Sequence, residues 1–123
     1  MISFPLFSEL EARRDAMIAH FHKETEPQLI ERLQQFGFRL QDPDDSTHMV
    51  LTEQATGNYY LLTIGRFAIL IQFKHIKTGE IITICELSNL TLNAHNIMNI
   101  LIQSIDSWLQ YGVVYDYRLA QKI

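Results

Sequence analysis

Apolar residues along the first third of the chain recur at helical spacing. Leu10, Met17, Ile18 and Phe21 share one side of a helix read over residues 9–23. Leu29, Ile30, Leu33 and Phe36 share one side of a second helix that begins near Pro27. Ser8 and Glu11 have the spacing of a capping box, in which each side chain reaches the other's backbone N–H at a helix start. Pro27 suits a first helical turn, where its missing N–H would have no partner anyway. Gly37 suits a C-terminal cap, which needs a left-handed residue.

The period then changes. FGFRLQ, THMVLTE, NYYLLTI, RFAILIQFKHI and GEIITICEL are short, rich in β-branched and aromatic residues, and separated by turn residues. PDDST closes the first hairpin. Ala55–Asn58 and Lys77–Glu80 repeat a Thr-Gly pair, as a turn with one residue at positive φ requires. Gly65-Arg66 allows a tight turn or a bulge within one long strand. From Leu92 to Tyr111 the helical period returns through Ala94, Ile97, Met98, Leu101, Ile105, Trp108 and Leu109, and Gly112 ends it. The tail, VVYDYRL, can extend as a short final strand. The expected fold is α+β: two N-terminal helices, an antiparallel meander of four or five strands, and a long C-terminal helix packed on the sheet. Residues 1–123 form one domain in this reading.

Two places carry more apolar or fewer charged residues than this plan needs. Phe67, Ile69, Ile71 and Phe73 alternate with Ala68 and Leu70, so that strand is apolar on both faces and needs cover on both. Either three helices supply it, or a partner covers one face; a homodimer is the expected form of that partner. The outward side of the last helix reads Asn96, Asn99, Gln103, Asp106, Ser107 and Gln110, which is polar but almost uncharged. Such a face is suited to packing against another chain.

Composition narrows the function. Hydrophobic residues are 47% and charged residues 20% of the chain, enough apolar material to fold. The first ten residues have no basic segment followed by a long apolar one, and the longest apolar run, Phe67–Ile71, falls far short of the roughly 20 residues of a membrane span. One cysteine, Cys85, can form no internal disulfide and reads as a buried, inert thiol. A cytoplasmic location and no membrane association are expected. The net charge of −4 is segregated: Leu40–Gly65 and Thr78–Tyr117 hold eight acids and no Lys or Arg. The bases are too few and scattered to neutralise phosphates, so no nucleic-acid partner is expected.

No motif carries chemistry. His20 and His22 would point roughly 200° apart on a helix and cannot share a metal ion. His48, His75 and His95 are isolated, and no metal, nucleophile-elbow or phosphate-loop spacing occurs. Asp42, Asp44, Ser46 and Glu53 match some oxygen positions of a calcium loop, but the glycine at position six is missing. Neither cofactor nor metal is expected, and a binding role is expected over a catalytic one. The expected function is a non-enzymatic protein-binding module, in its most specific form an inhibitor or immunity-type protein. Its expected contact residues are Asp42, Asp44, Asp45 and Glu53, which would meet a basic surface, and Asn96, Asn99, Gln103, Asp106 and Gln110 on the last helix. Two alternatives stand beside it: a small enzyme or small-molecule-binding domain with a dispersed site, and a dimeric structural subunit or secretion chaperone.

Overall fold

The computed structural model describes residues 5–117. Helix α1 (Pro5–His20) runs into a π-helical turn (Phe21–Thr25) and on into α2 (Glu26–Phe36). Five strands follow, β1 (Arg39–Asp42), β2 (Asp45–Thr52), β3 (Tyr59–Ile64), β4 (Ile69–Lys74) and β5 (Ile81–Leu87), and then α3 (Ala94–Tyr111). The strands form one antiparallel sheet in sequence order, β1-β2-β3-β4-β5. The architecture is α+β, with two N-terminal helices, a five-stranded meander and a C-terminal helix packed on the sheet.

The N-terminal helices differ from expectation in how they join. Pro5 opens α1, so Ser8 lies inside the helix and cannot cap it. No loop separates α1 from α2; the backbone stays helical through His20, Thr25 and Glu26. Pro27 explains the widened turn. Its ring would clash with the carbonyl four residues back, at Lys23, in a regular α-helix. In the π-turn the Glu26 N–H instead reaches the Phe21 carbonyl, five residues back. The wider turn also keeps Phe21, Thr25, Leu29 and Leu33, all buried, on one side.

The core lies between that side, α3 and one face of the sheet. Phe21, Leu29, Leu33, Ile97, Leu101 and Ile105 pack on Met49, Tyr60, Leu62 and Ile71. Strands β3 and β4 alternate buried and half-buried side chains residue by residue, as a sheet covered on one face does. At β5 a bulge between Thr83 and Cys85 leaves Ile84 without a partner across the ladder, and both Ile84 and Cys85 are buried. Helix α3 starts at Asn93, whose Oδ1 accepts from the Asn96 N–H at 2.8 Å, and ends at Gly112 in the left-handed region. Leu101 is fully buried and Trp108 half-buried, its ring 5.5 Å from that of Phe73. Leu109, placed on the inner stripe by spacing, is 58% exposed in the last turn of α3.

The two Thr-Gly turns are the same device. Gly57 donates to the Glu53 carbonyl and Gly79 to the His75 carbonyl, at 2.8 and 2.9 Å, with φ of 80° and 72° at the glycines. Asn58 Oδ1 accepts from the Ile76 N–H at 3.0 Å and ties one turn to the other. Gly65 and Ala68 close the turn between β3 and β4. Phe67 therefore lies in a turn and outside the strand, 51% exposed. The tail from Val113 to Asp116 forms no strand, a correction to the expected extension; Arg118 and Leu119 lie outside the described residues.

Candidate binding surfaces

The sheet register fixes what its second face displays. One row across it reads Arg39, Val50, Leu61, Gln72 and Thr83; a second reads His48, Thr63, Leu70 and Glu86; a third reads Thr52, Tyr59, Lys74 and Ile81. None of these side chains is buried. Among the described residues no helix lies over them, because α2, α3 and the π-turn all contribute to the core on the opposite face. The middle of this face is apolar or uncharged: Val50, Leu61, Thr63, Leu70 and Gln72. Charged groups stand around it at Arg39, Lys74 and Glu86, and the Lys74 ammonium lies 5.8 Å from the centre of the Tyr59 ring. The doubly apolar strand expected at 67–73 is thus better matched by β3, where Tyr59 and Leu61 face outward while Tyr60, Leu62 and Ile64 are buried. Two adjacent tyrosines followed by two leucines were the sequence signal for it.

Helix α1 is the other bare element. Every described side chain from Phe7 to Met17 is exposed, and Ile18 is half-buried. Of the stripe read from the sequence, only Phe21 enters the core; Leu10 is 50% and Met17 45% exposed. Where α1 meets the rest of the chain, Arg14, Met17, Ile18, Phe67 and Ser88–Thr91 surround an open cavity of about 260 Å³. His22 fastens this corner: its Nε2 donates to the Arg66 carbonyl at 3.0 Å, and its Nδ1 lies 3.1 Å from Glu26 Oε1.

The acids singled out by sequence occupy two places. Asp42, Asp44 and Asp45 form the β1–β2 turn, and Glu53 follows the far end of β2, about 26 Å away at 3.3 Å per residue. They do not make one patch, and most are engaged locally. Asp42 Oδ1 accepts from the Asp44 N–H at 2.9 Å. Asp45 accepts from the hydroxyl and the N–H of Thr47 and pairs with His48 Nδ1 at 2.9 Å. Chiefly the Thr47 hydroxyl, then its N–H and His48, hold the Asp45 carboxyl at about 2. Glu53 accepts from Thr56 Oγ1 and from the Tyr60 hydroxyl, both at 2.8 Å. The helix candidates do come together: Asn96, Asn99, Gln103, Asp106 and Gln110 are all exposed along α3, with the Gln110 amide donating to Asp106 at 2.7 Å.

The titratable groups in the interior are held in inert forms. Burial, and then the bond to Glu53, push the Tyr60 hydroxyl well above its ordinary range, so it stays a neutral donor. Burial likewise raises the Cys85 thiol, against a smaller opposing effect of Ser104. Among the described residues no three His, Cys, Asp or Glu side chains converge as a metal site would require, and no helix is long and apolar enough to cross a membrane. No protein-family model matches the chain, and no curated protein or solved structure matches it either.

Proposed function

We propose that the chain is a non-enzymatic protein-binding module that docks on its partner through the open face of the sheet. The observation that carries this is the layout of that face. An uncharged centre of Val50, Leu61, Thr63 and Leu70 is bordered by Arg39, Lys74 and Glu86, as protein interfaces place apolar groups inside a polar rim. The strands give it a fixed shape, so little ordering entropy opposes binding. A protein of this kind acts by occlusion, as an inhibitor or immunity-type protein does.

The test compares wild type with a Leu61→Glu/Leu70→Glu variant. Both side chains point away from the core, so the variant should keep the wild-type circular dichroism spectrum. Affinity capture with chemical cross-linking from the native cell should retain one partner on wild type, with cross-links to Lys74, and lose it on the variant. Loss instead on an Asp42→Asn/Asp44→Asn/Asp45→Asn variant, with the Leu variant unaffected, would move the docking site to the acidic turn.

A further inference from the structure

We infer that α1 is a dimerisation arm, which pairs antiparallel with α1 of a second copy of this chain. The inference is independent of the sheet-face reading, since it uses a different surface. Phe7, Leu10, Arg14, Met17 and Phe21 follow one another at spacings of three, four, three and four residues, the seam of a two-helix coil. Phe21 is in this chain's core, whereas Phe7, Leu10 and Met17 are 56, 50 and 45% exposed. Propagation from the docked α2 can keep α1 helical, but among the described residues those three side chains stay about half exposed.

Charge identifies the occupant. A twofold axis level with Ala12 sets Phe7 beside the second copy's Met17 and Leu10 beside its Arg14. Each Arg14 then stands one residue from the other copy's Glu11, and each Arg13 falls near the other copy's Glu9. Two Glu and two Arg so flank either side of the seam. Among the described residues Arg14 pairs with the exposed Asp15 carboxylate at 3.7 Å, a weak pairing between adjacent residues. Arg14 on the seam also fixes register, as a polar group there does at some cost in affinity.

Direction follows from where the domain sits. The last turn of α1 adjoins the domain and its first turns do not, so a parallel pair would drive the two domains together. An antiparallel pair separates them and brings each Phe7 level with the other copy's Met17, at the cavity that Met17 shares with Ile18 and Phe67. A seam about 24 Å long and about 10 Å wide is smaller than a standard stable interface of roughly 1,200 Å² or more. A dissociation constant in the micromolar range is expected.

Sedimentation equilibrium of the full chain from about 1 to 500 μM should show a monomer–dimer equilibrium. Leu10→Glu or Met17→Glu should weaken it at least tenfold with the thermal midpoint of the domain retained. Arg14→Glu should weaken it, and Glu11→Arg/Arg14→Glu should restore it. A mixture of Leu10→Cys and Arg14→Cys chains should form the mixed disulfide in preference to either like pair. A wild-type chain that stays monomeric at 500 μM overturns the inference. So does a dimer that Leu10→Glu leaves intact, and preferential like-with-like disulfides overturn the antiparallel direction.

Discussion

Leu101→Ala tests the phase of α3 and the position of the core together. Leu101 is fully buried on α3 and belongs to the cluster that joins the helices to the sheet. Truncation removes three carbon atoms' worth of burial, about 2.4 kcal/mol at about 0.8 per methylene. The incompletely relaxed cavity raises this to about 3 kcal/mol, within the measured range for buried leucines. For 123 residues at about 2.1 cal/mol/K per residue, the unfolding entropy is about 260 cal/mol/K, so the midpoint should fall by about 12 °C. Leu109, eight residues on and 58% exposed, is the control: Leu109→Ala should change stability by less than about 0.5 kcal/mol. Scanning calorimetry at one fixed protein concentration, because association shifts apparent midpoints, measures both. Equal shifts for the two variants, or a shift under about 3 °C for Leu101→Ala, would refute the assignment of the inner face.

Three further outcomes are expected. The Asp45 carboxyl is lowered from its ordinary 3.8 to about 2, so its contribution is present above about pH 4 and lost as pH falls toward 2; denaturant midpoints of wild type and Asp45→Asn should differ at pH 5 and converge at pH 2. Gly37→Ala should cost about 1–3 kcal/mol in urea titration, since φ is +129° there and the new Cβ would lie 3.2 Å from Leu51 Cδ1. Cys85, buried with a raised thiol pKa, should resist iodoacetamide at pH 7.5 until denaturant is added, and labelling of the native protein at the unfolded rate would place it elsewhere.

The strands, expected to number four or five, were legible from composition and turn residues, because NYYLLTI and RFAILIQFKHI are short, rich in β-branched and aromatic residues, and bounded by turns; the structure has five. The twin turns were equally legible, since a Thr-Gly pair before a strand has few other uses. The helix junction was not. Pro27 reads as a helix start in any local rule, and only the widened turn before it lets the helix continue. The stripe on α1 was legible as a stripe, but spacing states that a face is apolar without saying what covers it. Of the candidate contacts, Asn96 to Gln110 are displayed as expected because a long capped helix fixes their phase. The acids were read from net charge, and net charge does not show that Thr47, His48, Thr56 and Tyr60 supply hydrogen bonds to Asp45 and Glu53.

The two bare surfaces have a common origin in the Phe21–Pro27 junction. A loop between α1 and α2 would let α1 turn back and lay its Phe7, Leu10 and Met17 stripe across Val50, Leu61 and Leu70, making a closed three-layer domain. The continuous backbone forbids that return. His22 reinforces it, bonding the π-turn to the Arg66 carbonyl in the β3–β4 turn on one side and facing Glu26 in α2 on the other. With α1 held in line with α2, two docked helices remain, and they cover a single face of the sheet. Among the described residues the other face and the arm are then exposed together, and they are the two surfaces on which the proposed partner and the proposed second copy would dock. A single proline, accommodated by one widened turn, thereby divides this chain's apolar residues between a buried core and two exposed surfaces.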